Sequence, residues 1–222
     1  MDMKSKLGPV VGQINNQDIR ANQLLRRDLS VWEGGRYTPS DGDDTNQNSG
    51  AVRKLTDKAK SIVIYWSRSG STELLASKIA NIANSDILEI TLKEPYPTDY
   101  LETRSRANFE RENDLPPELN MELPDLSQYE TVFLGYQTWA MTLSQPMKSF
   151  LLNYGSKLSG KRIVPFETQG GFGSGDSEDL IRQILAQEGS TKNSFERALV
   201  VDGNMVDRSN KVIDRWFNRI DR

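Results

Sequence analysis

Cysteine and histidine are both absent from this chain of 222 residues, and the two absences remove a good deal of chemistry. A disulfide framework, a thiol nucleophile, a Cys or His metal site and a Ser-His-Asp triad are all excluded. Redox work, if the chain does any, must then be done by a bound cofactor. Lack of cysteine leaves the compartment open, since it suits both the cytosol and the outside of a cell. No apolar run approaches the ~20 residues that a membrane span needs. The N-terminus shows no apolar segment followed by a small-residue cleavage site, so no membrane span and a cytoplasmic location are expected. A formal charge of −3, with no basic stripe interleaved with aromatics, argues against a nucleic-acid partner.

Charge and polarity are unevenly placed. Residues 1–57 hold eight Lys/Arg and eight Asp/Glu, so the whole net charge belongs to 58–222. Tyr37–Gly50 (YTPSDGDDTNQNSG) has too few apolar residues to offset its ordering entropy and reads as a linker. Before it, Ile19, Leu24, Leu25, Leu29 and Trp32 in Gln17–Trp32 are spaced as in a short docked helix, or as in a mobile tail. The expected organisation is an N-terminal extension and polar linker, largely flexible, over 1–57 and a folded domain over 58–222.

From residue 58 strands and helices alternate. Ile62–Trp66, Asp86–Ile90, Thr131–Tyr136, Arg162–Glu167 and Arg197–Asp202 are short apolar strands, the third ending in Gly135-Tyr136. Helical patterns follow four of them: Leu75, Ile79 and Ile82; Met147, Phe150, Leu151 and Tyr154; Leu180, Ile181, Ile184 and Leu185; Val212, Ile213, Trp216, Phe217 and Ile220. Residues 91–130 are an irregular, proline-framed connection around a polar helix near Tyr100–Asn113. This pattern predicts an α/β fold, a doubly wound five-stranded parallel sheet in strand order 2-1-3-4-5. Its ligand site lies beyond the carboxyl ends of the strands, where the order reverses. The loops that meet there are 67–72, 137–145 and 168–175.

The first of these loops, Ser67-Arg68-Ser69-Gly70-Ser71-Thr72, joins a buried strand directly to a helix. Free backbone N–H groups, the positive end of a helix dipole and four hydroxyls therefore converge on one point, suited to a phosphate. It lacks the lysine of a nucleotide triphosphate loop, which favours a terminal monophosphate held without metal. Gly155–Arg162 nearly spells a triphosphate loop, but it runs from helix to strand and ends in Arg where Ser or Thr would hold Mg²⁺.

Taken together, the three loops resemble those of the flavodoxins. SRSGST is similar to the flavodoxin phosphate loop, Gly135-Tyr136-Gln137-Thr138-Trp139 to the segment that carries the flavin-covering Trp, and VPFETQGGFGSG to a Pro-Phe-x-Thr-x-Gly-Gly segment of one flavodoxin-like subfamily. EPYPTDY and the helix after it also look like that subfamily, and the resemblance covers about 58–222. It implies a flavodoxin-like fold and FMN as a non-covalent cofactor. Ser67, Arg68, Ser69, Gly70, Ser71 and Thr72 would hold its phosphate, with Arg68 either adding a charged contact or pointing to solvent. Gln137, Thr138, Trp139 and Ala140 would line the isoalloxazine, and Thr168, Gln169, Gly170, Gly171 and Phe172 would cover its pyrimidine edge. No catalytic side chain and no metal are implied. The expected partner is an unidentified redox protein, or NAD(P)H in a rival reading as an FMN-dependent NAD(P)H:quinone or acceptor oxidoreductase. Arg104, Arg106 and Arg111 would contribute to a nicotinamide seat in that reading, or else form a solvated helix face. A non-catalytic binding module on the same scaffold is a further alternative, against which the intact SRSGST loop counts. Two departures stand out. Ala140 replaces a Gly whose peptide flips with flavin redox state, which points to two-electron behaviour if Ala avoids positive φ. Met141 stands where an acidic residue is frequent.

Overall fold

A computed structural model of the chain describes residues 10–21, 52–97 and 99–221. A hairpin comes first, β1 (Val10–Ile14) and β2 (Gln17–Arg20). There follow β3 (Arg53–Lys54), β4 (Ser61–Tyr65), α1 (Ser71–Ile82), β5 (Asp86–Glu89), α2 (Tyr100–Glu112), β6 (Thr131–Trp139), β7 (Thr142–Leu143) and α3 (Gln145–Tyr154). β8 (Arg162–Gln169), α4 (Ser177–Gln187), β9 (Ser194–Phe195), β10 (Leu199–Asp202) and α5 (Asn210–Ile220) complete the described chain. The main sheet runs β10-β8-β6-β4-β5-β3, and its pairings are parallel except for β3 on β5. Over the five long strands this is the doubly wound order expected from the alternation. Among the described residues no helix is long and apolar enough to cross a membrane.

Alternating side chains on the strands feed two cores. Val63, Tyr65, Phe133, Val164 and Phe166 pack with Leu75 and Ile79 of α1 and Ile213 and Trp216 of α5. Ile62, Ile64, Val132, Leu134 and Ile163 pack with Met147 and Phe150 of α3 and Ile181 and Ile184 of α4. Helices on both faces are what a parallel sheet of continuous apolar strands requires. Ile82, expected on the buried face of α1, is instead partly exposed at 38%.

Three features differ from the sequence reading. Gln17–Arg20 is a strand, not the start of a helix. Asn15 and Asn16 turn the hairpin with φ of 50° and 65°, the left-handed pair that a two-residue type I′ turn needs and that Asn tolerates. Ile14, Ile19 and Ala21 are buried, and β1 lies against Leu74 of α1, whose Cδ1 is at an ordinary contact distance, 3.6 Å, from the position of a Cβ added to Gly12. The rest of the candidate helix (residues 22–32) and the linker Tyr37–Gly50 lie outside the described residues.

The sheet begins before residue 58. Arg53–Lys54 pairs antiparallel with β5, and the buried Asp86 carboxylate accepts bonds from Thr56 N (2.7 Å), Thr56 Oγ1 (2.8 Å) and Tyr129 OH (2.7 Å).

The third strand does not end at Tyr136 but runs on to Trp139, and the expected loop at 137–145 is a hairpin with β7. Its two turn residues, Ala140 and Met141, have φ of 50° and 64°. A type I′ turn favours Asn or Gly here, so two L side chains in the left-handed region store strain beside the cleft. Contrary to expectation, Ala140 thus already occupies the positive-φ conformation, and the residue gives no ground for two-electron behaviour.

Candidate functional site

The registers bring the three loops to one level. Tyr65 pairs with Gly135 and Gln137 with Thr168, so the chain leaves β4, β6 and β8 side by side. One hydrogen-bonded chain then ties the three exits together. Gln137 Nε2 donates to Trp66 O (2.8 Å) and to Thr72 Oγ1 (2.7 Å), and Thr72 Oγ1 in turn lies 2.8 Å from Thr168 Oγ1. A cavity of about 610 Å³ opens above this chain, within the size range of small-molecule sites.

Arg68, Ser69, Ser71 and Thr72 of the first loop reach the cavity. Arg68 is only 6% exposed, so of the two positions open to it from sequence, solvent is not the one it takes. Ser67 and Gly70 stand behind the wall. Ser67 Oγ accepts from Gly70 N (3.1 Å), closing the loop on itself. Gly70 is the N-cap of α1 at φ 88°, with no side-chain cap bond, so no cap side chain occupies the helix N-terminus. A Cβ on Gly70 would lie 2.0 Å from the Arg20 carbonyl oxygen. The N-terminal hairpin therefore braces the loop from outside, at a position where only glycine fits.

The second group, Gln137, Thr138, Trp139 and Ala140, lines the cavity in full. The Trp139 ring stands nearly perpendicular to Trp66 (5.2 Å, 87°) and to Tyr96 (5.1 Å, 89°), edge-to-face geometry that fixes its plane. Buried Gln137 Oε1, Thr138 Oγ1 and Gln145 Oε1 complete no well-formed hydrogen bond, the Thr138 hydroxyl facing the Glu167 carboxylate. Unpaired buried polar atoms of this kind are costly; all three residues line the cavity, although these particular atoms are covered.

In the third group Thr168, Gln169, Gly170 and Phe172 reach the cavity and Gly171 does not. Gln169 is chiefly the organiser of its loop. Its Oε1 accepts from Gly171 N (2.5 Å) and Gly173 N (2.9 Å), while its Nε2 donates to Asp202. Phe172 is 65% exposed.

Residues that no sequence motif marked out complete the wall. Met141 and Gln145 belong to the unforeseen hairpin and the start of α3. Gly203, after β10, accepts from Ser71 Oγ at 2.8 Å. The face of α2 from Tyr100 to Arg111 closes one side, and only its arginines had been singled out. They separate: Arg104 and Arg111 line the cavity. Arg106 instead stacks on Tyr96 (4.3 Å) and donates to Glu110 Oε1 (2.7 Å) and Pro95 O (3.0 Å).

Beneath the third loop lies a carboxylate that the sequence reading passed over. Glu167 is fully buried, and neither of its oxygens completes a well-formed hydrogen bond, although Ser174, Thr138 and Tyr136 face it. Burial above all raises its pKa above 4.5; those three neighbours pull it back down, and the Glu178 charge adds to the rise. A carboxyl group with a raised folded-state pKa binds its proton more tightly in the folded chain. Its contribution to stability is therefore lost as pH climbs from the unfolded value towards the folded one. Glu167→Gln is expected to stabilise the protein at pH 8 relative to wild type and to have a smaller effect near pH 4.5. Urea midpoints of both proteins at the two pH values check this, and an advantage independent of pH refutes it.

The flavodoxin family model matches residues 60–220; β1, β2 and β3 fall outside that match. Among solved structures, a flavoprotein candidate from Bacteroides eggerthii is 24% identical with a TM-score of 0.59, the match covering 74% of this chain and 99% of that one. A second candidate, from Bacteroides uniformis, is 21% identical (TM-score 0.58; 72% and 98% covered). A flavoprotein from Lactobacillus acidophilus, solved in complex with FMN, is 20% identical (TM-score 0.55; 68% and 97% covered). Likeness at this level of identity speaks for the fold. No curated protein matches the chain.

Proposed function

This chain belongs to the flavodoxin family, and from that premise we propose that it is an FMN-binding flavoprotein that passes electrons through a non-covalently held flavin. One observation carries the reading: a single cavity joins the uncapped N-terminus of α1 and buried Arg68 to the ring of Trp139. A monophosphate suits the first end. The first-turn N–H groups and the helix dipole favour an anion, Ser69 offers a hydroxyl while those of Ser71 and Thr72 are engaged with Gly203, Gln137 and Thr168, and Arg68 supplies the positive charge that a lysine-free loop otherwise lacks. A flat aromatic ring suits the second end, against Trp139 and under Thr168–Phe172. Gln137, Thr138 and Gln145 line the wall beside that ring.

The flavin supplies the redox chemistry when bound. The chain's own part is to bind, orient and exclude water. Fixing Trp139 between two perpendicular rings and tying Gln137, Thr72 and Thr168 in one chain does this before any ligand arrives. A second reading, an FMN-dependent NAD(P)H or acceptor oxidoreductase, is favoured by a separate observation: α2 walls the cavity with Arg104 and Arg111.

The test is direct. The purified protein should be yellow, or its apo form should quench FMN fluorescence in a saturable titration. A colourless protein that refuses added FMN overturns both readings and leaves a non-catalytic binding module. Anaerobic bleaching on addition of NADPH promotes the second reading over the first.

A further inference from the structure

Helix α2 presents Tyr100, Thr103, Arg104, Ala107, Asn108 and Arg111 to the cavity. The spacing i, i+3, i+4, i+7, i+8, i+11 is one continuous helix face. Thr103 and Ala107 are its buried members, while Arg104 is exposed and Asn108 and Arg111 are half-buried, so the face is only partly packed. Arg104 forms no ion pair or hydrogen bond among the described residues. Arg111 has only a 3.7 Å approach to Glu112, whose side chain is 68% exposed, a contact of little strength in water. Arg104 and Arg111 are seven residues apart, about 10 Å along the helix axis. The cavity therefore has two cationic walls on different elements: Arg68 with the N-terminus of α1, and this pair on α2. The monophosphate of one FMN molecule calls for only the first.

Resting on the flavin reading, we propose that the α2 face is a second subsite, one that takes the anionic group of a small-molecule redox substrate. A small molecule fits better than an acidic protein, because the two arginines line a cleft of small-molecule size and the chain itself is net negative. Two sources share the required chemistry, a phosphorylated nicotinamide dinucleotide and a quinone carrying an acidic group.

The experiment uses the FMN-loaded full chain and two pairs of probes, followed by the flavin absorbance change without turnover. NADP⁺ is compared with NAD⁺, and 1,2-naphthoquinone-4-sulfonate with 1,2-naphthoquinone. In at least one pair the probe with the extra anionic group should bind about tenfold tighter or more, as a charge-assisted contact allows, and the pair that does so identifies the source. Arg104→Gln with Arg111→Gln should bring that ratio to within about twofold while FMN affinity stays at the wild-type value. No preference in the wild type, or one that survives the double substitution, overturns the proposal and leaves the flavin reading standing. Loss of FMN itself from the double variant also overturns it, since the arginines would then belong to the cofactor. A wild-type chain that takes no FMN defeats the flavin reading and this inference together.

Discussion

Replacing Ser69 with Asp is expected to weaken FMN binding at least a hundredfold and to leave riboflavin binding within about threefold of the wild type. Riboflavin carries the same ring as FMN without the phosphate, so the pair of ligands separates the two ends of the cavity. Ser69 is half-buried and faces the cavity beside Arg68 and the N-terminus of α1. A carboxylate there sets a negative charge against the phosphate. At about 4 Å and an effective dielectric constant of about 20, two unit charges repel by about 4 kcal/mol. Solvent at the cavity mouth reduces this, and about 3 kcal/mol still exceeds a hundredfold. Arg68→Gln should act in the same direction by about tenfold, the loss of one charge-assisted contact. Fluorescence titration of the apoprotein with both ligands reads the result. Equal losses for FMN and riboflavin would mean that Ser69 and Arg68 support the loop and do not face a phosphate.

Much of the frame behind that expectation was legible because it rests on continuous patterns. The apolar runs at Ile62, Val132 and Ile163 each fill two cores, and a strand buried on both faces leaves a sequence trace that no loop imitates. The order of loops followed from the alternation, and with it the meeting of Arg68, Trp139 and Thr168. What could not be read depends on tertiary contacts. The turn at Ala140 and Met141 carries no turn residue; its left-handed backbone is held by its surroundings, including Asp176 N bonding to Met141 O at 3.1 Å. The N-terminal hairpin did leave a signal, Asn15-Asn16 between short alternating segments, but the leucines beyond it suggested a helical spacing instead. The α2 wall was half legible. Its arginines stood out, and helical spacing sets Arg104 and Arg111 on one face and Arg106 off it, but which face meets the cavity and that Arg106 is spent on Tyr96 and Glu110 depend on packing.

Gly135 shows how a residue can be picked out for its motif while its physical reason stays hidden. From sequence it looked like the end of a strand. In the structure it sits mid-strand, within the run Thr131–Trp139, with extended neighbours on both sides. The reason for glycine is close approach: an added Cβ would lie 2.2 Å from Phe166 Cζ, 2.5 Å from Cε2 and 2.9 Å from Tyr65 Cβ. Phe166 and Tyr65 are both fully buried, so neither ring can swing into solvent. Gly135→Ala is therefore expected to destabilise the protein by about 3 kcal/mol, the upper part of the usual range for overpacking. The strain would pass directly into Tyr136, Gln137 and Thr138, and FMN affinity should fall along with stability. A double-mutant cycle isolates the cause. Phe166→Leu shortens the offending ring, so the double variant should be less destabilised than the sum of the single ones, by about 1–2 kcal/mol of coupling. Urea unfolding of the four proteins measures this. If the two substitutions simply add, the Phe166 ring is not what requires glycine at 135, and the Tyr65 Cβ contact takes its place as the cause.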